Sequence, residues 1–343
     1  MKPKNKVLIA GIGGASLGTE ILKCLLLTGR YQVFGCDISE FAYGHYQEGF
    51  NKTFLATPHD YIESVLEICS KADVDFIVPG GEEPMALLST SANIFTDKGI
   101  HLAINSPAII ENFSNKKTTF EILSQLGFQL PLTKVVTEIS DLDEMPFPSI
   151  VKPATGSGGS SFVFLAANKT EAAIYTQYLL KNGKTPLIQE YIPEDEGEFT
   201  VGVLSLPNKE LVCSIALKRV FNVKLSISSK TKSGLISSGY SQGLIDDFPE
   251  VRMIAEKIAA AIQSSGPLNI QGRLKNGVLI PFELNPRFSA STYLRAMAGI
   301  NEVDIYLQYV ATGHIEKPLE IRKGYYFRSL TEVCVDKGKI KND

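Results

Sequence analysis

The sequence predicts a chain of mixed class, with a doubly wound parallel α/β domain followed by an α+β region. Strands and helices alternate through about residue 112, and β-hairpin signals replace that alternation in the rest of the chain. The 343 residues suffice for two or three domains at about 100–200 residues per domain, and 44% of them are hydrophobic. The chain can therefore bury a large core in more than one lobe.

The N-terminal part carries the alternating pattern. Short apolar strands are expected at residues 7–10, 32–36 and 75–79, and helices at 17–28 and 61–71. Alternating units of this length predict a doubly wound parallel sheet. Glu82 and Glu83 follow the last of these strands, at the edge where open α/β sheets bind ligands, so they are candidates for substrate contact. Acids that suit the dipole of a helix N-terminus are an equally good interpretation.

The first turn, residues 11–18, is rich in glycine. The dinucleotide-binding fingerprint needs its third glycine where this chain has Ser16, and the next glycine is Gly18. Asp37 lies 19 residues after Gly18, near the place of the ribose-binding acid in that fingerprint. NAD binding is the second choice, because the spacing is imperfect and glycines also let a helix pack closely on a sheet.

Composition narrows the classes of function. The formal net charge is −3, from 34 Lys and Arg against 37 Asp and Glu, so the global basic character of a nucleic-acid-binding protein is absent. No apolar run approaches the ~18 residues of a membrane span, and the start is interpreted as a strand and not a signal peptide. Five scattered cysteines without metal-ligand spacing are expected to be small core residues in a reducing cytoplasm: Cys24, Cys36, Cys69, Cys213 and Cys334.

Lysines mark two places in the middle of the chain. Lys116 and Lys117 are expected in the first turn of a helix, where they oppose its dipole, so each is either an anion-binding candidate or a solvated surface lysine. Lys152 ends a strand before the Gly/Ser-rich residues 156–161, and a second strand returns at 162–165. Glycines let backbone N–H groups approach phosphate oxygens, and an inward lysine needs a partner. The pattern favours a phosphate-binding loop over a flexible hairpin tip.

Further strands are expected at residues 187–192, 198–204 and 211–217, and an amphipathic helix at 251–264. Residues 226–243 are rich in Ser, Gly and Lys, and they are interpreted as a mobile loop over a site, although a disordered surface loop has the same composition.

The predicted hairpin at residues 269–287 offers ligands for a metal ion. Glu283 and Asn285 lie two apart on a strand and so share a face, and Arg287 follows them. A carboxylate, a neutral oxygen and an arginine at one strand end suit Mg²⁺ carrying a phosphate. A surface hairpin with a solvated glutamate is the alternative.

The register of this hairpin decides whether Gln271 joins the set. If Asn276-Gly277 were a plain two-residue turn, Gln271 would face away from Glu283. We therefore expect a three-residue loop over residues 275–277 with a bulge at Gly277, which pairs Gln271 with Pro281.

Taken in order, these motifs resemble the ATP-grasp superfamily, and most closely the ATP-grasp module of carbamoyl-phosphate-synthase large subunits. The resemblance covers essentially the whole chain and implies two α+β subdomains clasping ATP. The implied divisions are a Rossmann-like domain preceding the ATP-grasp domain at 1–112, the ATP-grasp domain at 113–315 with its nucleotide-clamping subdomain at about 113–193, and a tail packing back on it at 316–343.

The resemblance also implies roles for individual residues. Lys116 and Lys152 resemble the two nucleotide lysines, with Asn115 in place of an acid; residues 189–192 resemble the hinge that reads adenine, and Glu190 or Glu198 would take the ribose hydroxyls. The implied ATP-binding residues are Lys116, Lys152, Gly156, Ser157, Gly158, Gly159, Ser160, Gln189, Glu190, Tyr191, Ile192 and Glu198. The implied metal ligands are Gln271, Glu283 and Asn285. The implied catalytic residues are Lys152 and Arg287, and Arg287 is the one that would meet the transferred phosphate.

The implied reaction is phosphorylation of a carboxylate by ATP, followed by attack of an amine on the acyl phosphate. ATP and Mg²⁺ are the implied cofactors, with Mn²⁺ as an alternative ion. Carbamoyl-phosphate-synthase large subunits carry two such modules and this chain has room for one, so a stand-alone cytoplasmic carboxylate–amine ligase is favoured. Candidates for contact with the small-molecule substrates are Glu82, Glu83, Arg219, Ser289 and Ser291.

Two other functions stay open. One is phosphorylation of bicarbonate or carbamate with a partner chain, and the other is nucleotide or dinucleotide binding without turnover. Neither nucleic acid nor a membrane is expected as a partner, and the sequence leaves a homodimer open.

Overall fold

The computed structural model describes residues 5–155, 162–316 and 319–341. Its first unit contains the strands β1 (Asn5–Ala10), β2 (Tyr31–Asp37), β3 (Lys52–Leu55), β4 (Phe76–Pro79) and β5 (His101–Leu102). They form a parallel five-stranded sheet in the order β3-β2-β1-β4-β5, which confirms the predicted parallel sheet. The helices of this unit are α1 (Leu17–Leu26), α2 (Tyr61–Ala72), α3 (Glu82–Thr90), α4 (Ala92–Thr96) and α5 (Pro107–Ser114).

Strand β1 shows why this sequence forms a covered parallel sheet. Val7 and Ile9 pack into one hydrophobic core, and Leu8 and Ala10 pack into the core on the opposite face. A strand buried on both faces has a continuous apolar sequence. The strand order changes direction between β1 and β4, so the loops after these two strands meet at the switch point where open α/β sheets place ligands.

The second unit is an antiparallel sheet of four strands with two helices. Its strands are β6 (Thr133–Val135), β7 (Ser149–Pro153), β8 (Phe164–Ala166) and β9 (Pro186–Glu190), in the order β6-β9-β7-β8. Its helices are α6 (Lys116–Gln125) and α7 (Lys169–Lys181). Asn115 begins α6 well, because its side chain accepts hydrogen bonds from the backbone N–H groups of Lys117 and Thr118.

The third unit is built on an antiparallel six-stranded sheet. Its strands are β10 (Glu198–Ser205), β11 (Leu211–Arg219), β14 (Gly243–Asp246), β15 (Pro267–Lys275), β16 (Val278–Asn285) and β17 (Gly324–Tyr326), in the order β16-β15-β10-β11-β14-β17. Its helices are α8 (Pro249–Ala261), α9 (Thr292–Met297) and α10 (Glu302–Thr312). All eight residues of β10 are buried, because α8 covers one face of the sheet through Val251, Ala255 and Ile258.

Residues 226–243 differ from the predicted loop. They contain the short antiparallel hairpin of β12 (Ile227–Thr231) and β13 (Gly234–Ser237), with Leu235 and Ile236 buried. The prediction of a loop without secondary structure was wrong, because two consecutive apolar residues in a polar segment are a weak local signal. Their burial against Tyr191 and Leu165 is a long-range contact.

Polar contacts join the first unit to the third. The Tyr31 hydroxyl donates to Asp304 at 2.7 Å, and Arg30 lies 3.4 Å from the same carboxylate. At the other end, the Asn105 side chain donates to the Pro267 carbonyl at 2.7 Å. The first unit is therefore held against the third unit at two separate places.

The C-terminal segment contacts two units. Strand β17 pairs with β14, and beyond it the Tyr43 and Thr331 hydroxyls lie 3.1 Å apart. The backbone N–H of Lys341 then donates to the Tyr46 hydroxyl at 2.9 Å. The predicted tail thus reaches the first unit as well as the six-stranded sheet.

Four of the cysteines are buried, but Cys334 is exposed, so the prediction that every cysteine is a core residue was wrong for this one. Among the described residues, no helix is both long enough and apolar enough to cross a membrane.

Candidate functional site

A cavity of about 500 Å³ lies where the three units meet. Residues 15–17 and 80–82, from the loops after β1 and β4, line its first wall. Lys116, Lys152 and residues 189–192 line the second wall, and the β15–β16 hairpin with Arg287 and residues 289–291 lines the third. Residues 235–241, at the end of the β12–β13 hairpin, close it on a further side.

Lys152 enters this cavity from β7 and is almost completely buried, with 5% of its surface exposed. Its Nζ donates to Gln189 Oε1 at 2.8 Å and to the Phe282 carbonyl at 3.2 Å, and it lies 5.8 Å from the Phe120 ring centre. These are neutral groups. Burial and the charge of Lys116 lower the pKa of Lys152 to about 7, and Glu283 opposes the shift. A buried ammonium group with neutral hydrogen-bond partners is suited to receive an anion.

The β15–β16 hairpin brings the candidate metal ligands together by a route other than the predicted one. Lys275 pairs with Val278 across a two-residue turn, in which Asn276 and Gly277 both have positive φ, so the predicted three-residue loop was wrong. The register instead shifts at Phe282, because Gly272 pairs with Pro281 while Gln271 pairs with Glu283. This bulge restores the shared face that the plain turn would have removed.

Gln271 and Glu283 are in direct contact, since Gln271 Nε2 donates to Glu283 Oε2 at 3.2 Å. Asn285 lies two residues further along the same face, opposite Asn269. Among the described residues, Asn285 Nδ2 is buried with no hydrogen-bond partner. The described part of the chain contains no group of three His, Cys, Asp or Glu residues that could hold a metal ion. One carboxylate and two amides fit Mg²⁺, which takes its remaining oxygens from phosphate and water.

Buried polar residues that were not predicted from the sequence hold strand β15 of this hairpin in place. Asn269 Oδ1 accepts from Arg295 Nη2 at 2.7 Å and from the Thr200 hydroxyl at 2.9 Å. Arg295 is 1% exposed and pairs with the buried Glu302 at 3.2 Å. The alternation of Asn269 with Gln271 is a signal in the sequence that could have identified the first of these residues.

Arg287 and Glu82 form an ion pair across the cavity. Arg287 Nη2 donates to Glu82 Oε1 at 2.6 Å, so a residue of the hairpin end meets the N-terminus of α3. Burial raises the pKa of Glu82, but the attraction of Arg287 and of Lys116 outweighs it and the pKa is lowered overall. Glu82 is therefore ionised at neutral pH. The Glu82 side chain is 43% exposed but lines the cavity, whereas Glu83 does not line it and is not retained as a substrate contact.

Glu198 is fully buried between two arginines. Its Oε1 lies 3.4 Å from Arg219 Nη1, and its Oε2 lies 2.8 Å from Arg273 Nε. Arg273 also donates to the carbonyls of Ile192 and Leu235, at 2.6 and 2.9 Å. In this arrangement Glu198 and Arg219 build the cavity wall, and their contact with ribose or substrate stays a prediction.

The remaining predicted residues have the following positions. Glu190 accepts from Lys275 Nζ at 2.8 Å, and its Gln189 neighbour is buried against Lys152. The hydroxyls of Ser289 and Ser291 lie 2.6 Å apart on the cavity wall. Tyr191 and Ile192 are buried and line the cavity, and residues 156–161 lie outside the described residues.

The glycine-rich turn after β1 is organised by internal contacts. A Cβ on Gly18 would lie 2.0 Å from the Gly11 carbonyl oxygen, and a Cβ on Gly80 would lie 1.8 Å from the same atom. Asp37 accepts from the backbone N–H of Ile12 at 2.8 Å and so holds the turn. These glycines allow α1 and the β4 loop to pack closely.

We expect the protein not to bind NADH in the micromolar range, because Asp37 is committed to the turn and the glycines serve packing. Isothermal titration calorimetry with NADH measures this directly, with ATP as the positive control. Tight, stoichiometric binding of NADH would contradict it.

Comparison with known proteins agrees with this geometry. A family model described as ATP-grasp in the biosynthetic pathway with Ter operon matches residues 183–333. The carbamoyl phosphate synthase large chain of Methanosarcina barkeri is 26% identical over 243 residues, which are 68% of this chain and 22% of that protein. The chain thus spans about a fifth of the length of the curated relatives it matches.

Solved structures show the same fold. The ADP complex of N5-carboxyaminoimidazole ribonucleotide synthetase superimposes with a TM-score of 0.67 at 14% identity, covering 90% of this chain and 77% of that one. The L-amino acid ligase of Bacillus licheniformis gives a TM-score of 0.67 at 16% identity, covering 91% and 75%. Residues 183–333 thus match an ATP-grasp family model, and the chain as a whole has the fold of these enzymes. The cavity lies between the four-stranded sheet and the six-stranded sheet, beside the parallel sheet of the first unit.

Proposed function

We propose that this chain is an ATP- and Mg²⁺-dependent carboxylate–amine ligase. The observation that carries the proposal is the buried Lys152, which has neutral hydrogen-bond partners and faces the same cavity as Glu283, Gln271 and Arg287. The cavity thus combines a cationic phosphate-binding wall with an oxygen-rich wall, as transfer of a phosphate from a metal-bound nucleotide requires.

Each wall has a separate task in this proposal. Lys152, with Lys116 beside it, binds the nucleotide phosphates through point charge. Residues 189–192 line the part of the cavity next to Lys152 and hold the adenine. Glu283, Asn285 and Gln271 hold Mg²⁺, and the Gln271 amide orients the Glu283 carboxylate. The metal ion supplies neutralisation of phosphate charge when bound.

The substrate carboxylate attacks the terminal phosphorus of ATP, and ADP leaves as the acyl phosphate forms. The amine then attacks the carbonyl carbon, phosphate leaves with the bonding electron pair, and the amine loses a proton to give the amide. In this proposal Arg287 binds the negative charge of the transferred group. Positioning and charge neutralisation do the work, so no protein nucleophile is needed.

The similar proteins support this reaction class. One similar structure holds ADP, and another is an L-amino acid ligase. A second candidate, phosphorylation of bicarbonate or carbamate with a partner chain, is favoured by the carbamoyl phosphate synthase relatives. The two candidates differ in the carboxylate that they activate.

Release of ADP in the presence of Mg²⁺, measured with a coupled assay, tests the proposal. We expect turnover with pooled amino acids that exceeds the rate with ATP alone. Dependence on bicarbonate together with glutamine and a partner chain would favour the second candidate. If the protein binds ATP but releases no ADP in the presence of any carboxylate, both candidates are contradicted.

A further inference from the structure

The ion pair between Glu82 and Arg287 places two opposite charges side by side on the cavity wall, where the first and third units meet. Their closest atoms are 2.6 Å apart, and the two residues are 205 positions apart in the chain. Glu82 begins α3, which follows the β4 loop at the switch point of the parallel sheet. Arg287 follows β16 and its Nε is buried with no hydrogen-bond partner among the described residues. The pair is therefore a feature of the interface between two units.

The other cavity-lining carboxylates already have partners or tasks. Glu198 lies between two arginines, Glu190 pairs with Lys275, and Glu283 belongs to the candidate metal set. Glu82 is paired with Arg287, and Lys116 is the further cation that lowers its pKa. When Arg287 and Lys116 bind phosphate in the proposed reaction, Glu82 is left as an ionised carboxylate beside the substrate.

A substrate can restore the charge balance only if it brings a cation. A simple carboxylate or bicarbonate would replace Glu82 on Arg287 and leave the Glu82 carboxylate without a partner beside further anions, which is unfavourable because like charges repel at short distance. A zwitterionic substrate would replace the Glu82–Arg287 ion pair with two new pairs, one between its cation and Glu82 and one between its carboxylate and Arg287. In an amino acid the ammonium and carboxylate groups are separated by one carbon, which matches two protein charges that touch each other.

We infer, building on the proposed function, that Glu82 binds the protonated amino group of the carboxylate substrate, and that this substrate is an amino acid. Arg287 binds the adjacent carboxylate and then the phosphate transferred to it. Glu82 is a specificity-determining residue, because it selects amino acids over the same molecules without the amino group.

The test compares a pool of L-amino acids with a pool of the corresponding des-amino carboxylic acids. Each pool is assayed with wild type, Glu82→Gln and the control Glu83→Gln, which changes the same charge in the same helix turn outside the cavity. We expect wild type to prefer the amino acids by at least about a hundredfold in kcat/KM. Glu82→Gln is expected to lower kcat/KM for amino acids by about ten- to a hundredfold, the effect of losing a hydrogen bond between charged groups. Glu83→Gln is expected to match wild type.

A binding measurement separates failure of this inference from failure of the proposed function. The melting temperature is recorded with a non-hydrolysable ATP analogue and each pool. Stabilisation of wild type by the amino acids, but not by the des-amino acids, supports the role of Glu82 even if no ADP is released. Equal stabilisation by the two pools, or a Glu82→Gln protein that behaves as Glu83→Gln does, would overturn it. The wild-type comparison needs no variant, so it stands even if Glu82→Gln fails to fold.

Discussion

Replacement of Lys152 by alanine is expected to abolish stabilisation of the protein by ATP while leaving the fold intact. The reason is that the buried Lys152 amino group has only neutral hydrogen-bond acceptors among its observed contacts, Gln189 Oε1 and the Phe282 carbonyl, so a bound phosphate would stabilise its charged form. A ligand at 100 times its Kd stabilises a protein by about 2.7 kcal/mol. A hundredfold loss of affinity would leave about 0.4 kcal/mol at the same concentration. Differential scanning fluorimetry with and without ATP measures this difference.

Two further variants make the Lys152 result specific. Lys152→Met keeps most of the volume without the charge, so it tests whether the charge and not a cavity is responsible. Lys134→Ala removes a partly exposed lysine from the same sheet, where it pairs with Asp141 outside the cavity. We expect the first to behave as Lys152→Ala and the second as wild type. ATP binding by Lys152→Ala with wild-type affinity would remove this lysine from the phosphate site.

The pH dependence provides an internal check on the same group. Burial lowers the pKa of Lys152 to about 7, whereas the pKa of a lysine in the unfolded chain is about 10.4. Between these values the unfolded chain binds the extra proton, so this group makes the stability of the ligand-free protein rise with pH. Bound phosphate favours the charged form, so ATP affinity should fall as pH rises above 7. In Lys152→Met both trends are expected to disappear.

Replacement of Glu283 by glutamine is expected to remove Mg²⁺-dependent turnover more completely than replacement of Gln271 by alanine. Of the three candidate ligands, Glu283 alone brings a full negative charge to the ion. Gln271 is neutral, and it orients the Glu283 carboxylate through a 3.2 Å hydrogen bond. Loss of an orienting partner costs about 10–100-fold in metal affinity or activity, and loss of the charge should exceed that range. ADP release measured over a range of Mg²⁺ concentrations gives both the affinity for the ion and the maximal rate.

Nucleotide binding without metal is the control for the Glu283 experiment. Stabilisation by ATP in the presence of a chelator should be unchanged in Glu283→Gln, because Lys152 remains in place. A Gln271→Ala protein as inactive as Glu283→Gln would show that the amide is as important to the metal site as the charge of Glu283. Full Mg²⁺-dependent activity in Glu283→Gln would remove this hairpin from the metal site.

The sequence by itself determined the features that depend on local periodicity. The apolar run of β1 implied a strand covered on both faces, and its burial in two cores agrees. The spacing of Glu283 and Asn285 placed them on one face, because side chains two apart on a strand share a face whatever the strand pairs with. The inward direction of Lys152 followed from the same alternation, and the Asn-Gly pair identified the hairpin.

The tertiary structure decided the features that depend on which groups meet. The bulge at Phe282, which lets Gln271 contact Glu283 across a two-residue turn, depends on how β16 packs and not on the turn sequence. The contact between Glu82 and Arg287 joins two units through residues 205 positions apart, and no local pattern encodes such a pairing. Charged side chains from different units pair only where the folded chain brings them within a few ångströms of each other. For that reason the strands could be predicted from the sequence, whereas the ion pairs of the cavity could be identified only in the folded chain.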